Sequence, residues 1–184
     1  MHQEQHIITA TQSWLRTIII EYSICPFAKH EWDRGSIRFA IDHSENIENS
    51  LEYLMLECER LNSDDRIETT LLIYPNALTE FDSYLDYVAI AEALLTDQSY
   101  EGIYQLASFH PWYCFEGAKA DDAANYTNRS PYPMLHLLRE SSIERAMSLY
   151  PDIEHIPQRN IDFTRTLGLA KMKSLLASCL TKPL

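Results

Sequence analysis

Glycine is scarce in this chain, with four in 184 residues. So few leave little room for a glycine-rich phosphate cradle. The sequence also lacks a GxGxxG fingerprint, a Walker A loop and a GxSxG elbow. Dinucleotide-dependent chemistry and ordinary NTPase activity are therefore disfavoured, and no cofactor is expected. Long apolar runs are missing too. The best candidate is interrupted by Arg16, Thr17 and Glu21, so no membrane span is expected. The opening MHQEQHIITATQSW has no basic stretch followed by an apolar core, which excludes a secretory signal. The four cysteines, Cys25, Cys58, Cys114 and Cys179, form no CxxC pair. A chain of this length does not need disulfide staples, so free thiols and a cytoplasmic location are expected. Positive charge is the last shortage. Fifteen Lys and Arg face 27 Asp and Glu, a net charge of −12, and a field of that sign repels nucleic acid.

What is present is the composition of a folded protein, 46% hydrophobic and 23% charged, with eleven tyrosines, six phenylalanines and three tryptophans to fill a core. The length suits a single globular domain over 1–184. The acidity is uneven. No Lys or Arg lies between Arg66 and Lys119, whereas the last third is mildly basic and holds Arg129, Arg139, Arg145, Arg159 and Arg165. The acidic middle reads as a solvated face. The arginines read as structural, or as the collectors of an anionic ligand.

Periodicity predicts a helix over 9–23, ended by Pro26, with Trp14, Leu15, Ile18, Ile19 and Tyr22 on one stripe. Alternation predicts a strand over 36–41, helical spacing a helix over 45–61, and the continuous run TTLLIY an interior strand over 69–74. Thr79 and Asp82 resemble a capping pair that opens a helix to Leu95, and IYQLASF gives a third strand over 103–109. Strands alternating with helices predict an α/β fold, with α+β kept open. The expected architecture is a small, three-stranded, largely parallel sheet covered by five or six helices. Residues 111–133 form a long aromatic loop. Helices are then predicted over 133–140, 141–149 (Ser141 and Glu144 in capping-box spacing) and 160–179.

Three segments, ICPFAK (24–29), SFHPWYCF (108–115) and NYTNRSPYPMLHLLRE (125–140), resemble the domain-of-unknown-function family 1415 of bacterial and plant proteins. They fall in that family's order and at similar distances, and the likeness covers nearly the whole chain. The resemblance implies membership and carries over no catalytic residue.

Side-chain chemistry must therefore locate a site. In open parallel sheets, ligands bind beyond the carboxyl ends of the strands. Asp42 and His43, Pro75 and Asn76, and His110 and Pro111 follow the three strands. His110 ends an apolar strand and is either a proton-transfer group or a strand cap. Asn128, Arg129 and Ser130 precede the helix predicted over 133–140, whose free N–H groups and Arg129 fork suit a phosphate or carboxylate. Arg129 could equally pair with Asp121 or Asp122 and pin the loop. His136 and Arg139 share a face of that helix.

Cys25 ends the first helix. It is either a buried structural thiol or a nucleophile activated by a cationic neighbour. Cys58 reads as core, and Cys114 as a weaker thiol candidate. The leading expectation is a small enzyme or ligand-binding protein for an anionic small molecule. Cys25, His110 and His136 would be its catalytic groups, and Asn128, Arg129, Ser130 and Arg139 its substrate-binding groups. A second expectation is a non-catalytic domain that docks a protein partner through the aromatic 111–126 loop, with Trp112, Tyr113, Phe115 and Tyr126 as anchors. A third is a zinc-dependent enzyme using Cys25, His110 and His136. None of these three shows local ligand spacing, so no residue is assigned to a metal.

Overall fold

The computed structural model describes residues 2–150 and 153–181. Helix α1 (His2–Trp14) runs without a break into a π-helical segment, Leu15–Ile20. Three isoleucines and Thr17 crowd this stretch, and their branched side chains weaken ordinary helical packing. The wider turn is fixed by Glu21 N–H donating to Arg16 O at 3.0 Å and Ile24 N–H to Ile19 O at 2.9 Å. Helix α2 (Ala28–Arg34) is short and ends on Gly35, whose φ of 66° would strain a residue with a side chain.

Strand β1 (Ile37–Ile41) leads through α3 (Ile47–Ser63) to β2 (Thr69–Ile73), and α4 (Phe81–Asp97) leads to β3 (Tyr104–Phe109). Asn46 caps α3 by accepting the Asn49 N–H at 2.9 Å. The capping pair expected at Thr79 is absent, since α4 opens at Glu80 with no side-chain cap. β1 and β2 are parallel.

Residues Met134–Arg139 form a fourth strand, β4, where a helix was predicted. β4 enters the sheet antiparallel between β2 and β3, giving the order β1-β2-β4-β3. The fold is thus a mixed α/β arrangement with four strands and seven helices among the described residues, and two of its three strand pairings are antiparallel. The physical reason is pairing. β2 and β3 each leave an edge of unpaired backbone groups, and one strand between them satisfies both, outweighing the helical preference of Met and Leu.

Helix α5 (Glu140–Leu149) follows β4 directly, and α6 (Ile156–Leu167) and α7 (Leu169–Leu180) are separated at Gly168, where one helix was expected. Part of the long loop is ordered as a 3-10 turn, Ala123–Thr127, opened by Asp122 and tied to α6 by the Asp122–Arg165 ion pair at 2.6 Å.

The sheet is covered on both faces. α3 and α4 pack Leu54, Cys58, Leu61, Tyr84, Tyr87 and Leu95 onto Leu72, Tyr74, Leu106, Leu135 and Leu137. On the other face, α1, the π segment and α7 pack Ile7, Trp14, Ile18, Met172 and Cys179 near Leu71, Ile73 and Met134. No helix among the described residues is long and apolar enough to cross a membrane.

Candidate functional site

On this second face the packing stops short. Ile37, Leu71, Leu138, Ala107 and Phe109 of the sheet, Trp14, Leu15 and Ile19 of the first helix, and Ile143 and Ala146 of α5 surround a cavity of about 320 Å³. Its volume falls at the lower end of the range of small-molecule sites, about 300–1,000 Å³. The gap has a local cause. The residues that reach it from β3, α2 and α5 include Ala107, Ala28 and Ala146, and neither α2 nor α5 has a buried residue among those described. The space opens to solvent, so water fills it, and its apolar lining favours replacing that water with an apolar molecule.

One wall of the cavity is His136. β4 places it between Leu71 of β2 and Ala107 of β3, both of which also line the space. Its Nε2 lies 2.7 Å from Thr69 Oγ1, which itself donates to Leu137 O at 2.6 Å. A hydroxyl has one proton, and the carbonyl can only accept. Thr69 therefore accepts from His136, and the imidazole carries its proton on Nε2. Nδ1 is left as a lone-pair acceptor with no partner among the described residues. Burial drives the imidazole pKa down to about 4, so the ring is neutral at ordinary pH.

Cys25 lines the same cavity, in the turn between the π segment and α2. Burial pushes its thiol above the ordinary 9.0, while the backbone N–H groups of Phe27 and Ala28 pull the other way. Burial raises the thiol pKa and lowers the imidazole pKa, so proton transfer from Cys25 to His136 is disfavoured. The pair rests as a neutral thiol and a neutral imidazole.

The charged residues of the lining are Glu31, Glu68 and Arg139. Glu68, just before β2, accepts from Ser142 Oγ and from Arg145 at 3.1 Å, both on α5. Glu31 pairs with Arg34 at 3.0 Å and accepts from Ser36 Oγ at 2.6 Å. The Phe27 and Tyr150 rings meet edge-on, 5.3 Å between centroids, tying the end of α5 to the start of α2.

Except for Arg139, which lines the cavity as well, the other residues singled out from the sequence lie apart from it. His110 is fully buried against Phe81 and Tyr84. Its Nε2–H donates to Leu78 O at 3.0 Å, and its Nδ1 accepts the Trp112 N–H at 3.0 Å. Both ring nitrogens are thus engaged, and burial lowers the ring's pKa. Arg129, also buried, donates from Nε to Tyr113 O at 3.0 Å and from Nη2 to Ala120 O at 2.8 Å, with its guanidinium 4.7 Å from the Tyr126 ring centre. Of the two carboxylates weighed for it, Asp122 pairs with Arg165, and no ion pair joins Arg129 to Asp121 among the described residues. Asn128 donates to Ser108 O at 3.1 Å, and Ser130 to Tyr132 O at 2.6 Å.

Arg139 sends its guanidinium to Leu61 O and to Ile67 O, the latter at 3.2 Å, on the α3 side of the sheet. Within the aromatic loop Trp112 is 67% exposed, whereas Tyr126 is buried beneath Arg129. Cys58, pushed up to about 12 by burial, is a core residue. No group of three His, Cys, Asp or Glu side chains placed to hold a metal occurs among the described residues.

Of the three catalytic candidates, then, Cys25 and His136 meet in one cavity and His110 stands elsewhere. The sequence reading missed Thr69, which orients His136, and Ala107, which leaves the room beside it. Reading MLHLLR with a period of two would have placed His136 and Leu138 on one face.

The model of the family described as protein of unknown function, DUF1415, matches residues 6–174, and the chain belongs to that family. No curated protein and no solved structure matches the chain.

Proposed function

We propose that this DUF1415 member binds a small, uncharged, largely apolar molecule in the cavity between the sheet and α1, α2 and α5. The ligand would donate one hydrogen bond, from a hydroxyl or an amide, to Nδ1 of His136. One observation carries the reading: a neutral imidazole lone pair without a protein partner, held on the wall of an apolar space of about 320 Å³. An anion suits that wall poorly. The nearest arginine on it, Arg139, directs its donors to backbone carbonyls on the opposite face. The anion-holding role expected of Arg129 and Arg139 is accordingly left out of the proposal.

Fluorescence titration with 2-naphthol and 2-methylnaphthalene tests it. Both should bind the native protein, 2-naphthol about fivefold more tightly, the weight of one neutral hydrogen bond. His136→Phe should remove that difference. Ala107→Leu, which fills the space beside His136, should remove both signals. Failure of either compound to saturate a site, or unchanged binding in Ala107→Leu, would sink the proposal.

A second reading, thiol chemistry on the bound molecule, is favoured by the Phe27 and Ala28 N–H groups, which lower the pKa of the Cys25 thiol against the effect of burial. It requires the ligand to stabilise a thiolate that the empty site does not form. In the free protein Cys25 should be alkylated slowly up to pH 9. Fast alkylation at pH 7 would make the thiol reading the leading one.

A further inference from the structure

The π segment has an outer side that the cavity does not use. Thr9, Gln12, Ser13, Arg16, Glu21 and Trp32 line a groove of about 710 Å³ there, with Ile20 and Leu175 among its apolar residues. Arg16 is unlike every other arginine of the chain. Among the described residues each of the other nine donates to a carboxylate, an amide oxygen or a backbone carbonyl. Arg16 has no acceptor among the described residues, and its guanidinium lies over the Trp32 ring, 5.8 Å from the centroid. The ring fixes its direction while leaving its N–H donors free.

Glu21 is the second unmatched charge. The π turn stacks it one turn beyond Arg16, with its N–H on Arg16 O at 3.0 Å, and its side chain lines the same groove. Its carboxylate has no donor among the described residues. Neighbouring opposite charges on a helix face ordinarily close on one another. Here they stay apart, because Arg16 is turned onto Trp32. The other charges in the groove, Lys29 and Asp33, are already paired with each other.

We propose that this groove binds a small zwitterion of the α-amino acid class, its carboxylate on Arg16, its ammonium on Glu21 and its apolar side chain against Ile20 and Leu175. A simple anion would leave Glu21 facing it unpaired, and a simple cation would leave Arg16 so. The groove and the cavity lie on opposite sides of one helical wall, so this inference stands or falls independently of the cavity.

The test is a two-dimensional NMR titration of the native protein that follows the Arg16 Nε–H and Trp32 Nε1–H signals. L-leucine, N-acetyl-L-leucine and L-leucinamide are the probes. L-leucine should give saturable shifts at both signals. Each capped compound should bind about tenfold more weakly, as should L-leucine to Arg16→Gln and to Glu21→Gln. Both replaced side chains are exposed, so the fold is expected to survive, and Ala107→Leu should bind L-leucine normally. Equal binding of L-leucine and N-acetyl-L-leucine would leave Glu21 without a part and overturn the proposal. So would shifts at neither signal, or shifts that persist unchanged in Arg16→Gln.

Discussion

On the face covered by α3 and α4, Leu54, Leu61, Leu72, Tyr84 and Leu137 are fully buried, and the Tyr84 hydroxyl stitches β3 to β4 by donating to Met134 O at 2.7 Å and accepting the Phe109 N–H at 2.9 Å. The face under α1, α2 and α5 leaves about 320 Å³ around His136. The same sheet, with the same strand residues alternating between its sides, is closed on one side and open on the other. Large helices with branched and aromatic residues seal the first face. Short or shallow helices with alanines roof the second. The contrast separates the part of the sequence that holds the fold from the part with room for a ligand.

Truncation should show the largest effect. Leu72→Ala on the closed face is expected to cost about 4 kcal/mol, within the usual range for a buried leucine. Leu138→Ala, which borders existing space, should cost less than about 2 kcal/mol because little new void forms. Equal losses in urea denaturation would erase the distinction between the faces.

Arg129→Ala sharpens the comparison from outside both faces. It strips partners from two backbone carbonyls in the 111–133 loop and should cost about 3 kcal/mol, while the folded fraction keeps its affinity for 2-naphthol. A stable variant that no longer binds a ligand would return Arg129 to a binding role.

The pH dependence has a definite sign. In the unfolded chain His136 titrates near 6.5, and in the folded protein near 4. Above pH 6.5 both states hold it neutral and stability is unaffected. As the pH falls from 6.5 towards 4, the unfolded chain takes up the proton first and stability is lost, by about 3 kcal/mol once both states are protonated. His110, lowered by burial as well, acts in the same direction. His136→Phe should therefore flatten the urea midpoint against pH between 6.5 and 4 without making it level. An unchanged slope would mean that the imidazole is not buried neutral. The smallest effect belongs to Ala107→Leu, which should gain about 1 kcal/mol by filling space that is already there.

The segments from β1 to β3 were legible within about two residues, β1 and the helices by a clean period and β2 as a short apolar run rich in β-branched Thr and Ile. β4 was not. A strand between two others is apolar on both faces, so MLHLLR shows no alternation, and its leucines and methionine favour a helix when read alone. Only the demand of β2 and β3 for a partner makes it a strand, and that demand is non-local. The site suffered from the same error. With three parallel strands, the carboxyl edge was the natural place for a ligand, and His110 stands there. The inserted β4 instead carries His136 onto a sheet face, where it lines the same cavity as Cys25, 111 positions away in sequence. Cys25 and His136 were legible as reactive types. Thr69 was not, because its role exists only once β2 and β4 are paired.

The most direct measurement is a nitrogen-15 NMR spectrum of the His136 ring at pH 7, with and without 2-naphthol. The account expects a neutral ring with its proton on Nε2, and an unprotonated Nδ1 whose resonance moves on ligand addition while Nε2, held by Thr69, stays nearly fixed. A charged ring, a proton on Nδ1, or an Nδ1 signal indifferent to the ligand would contradict it.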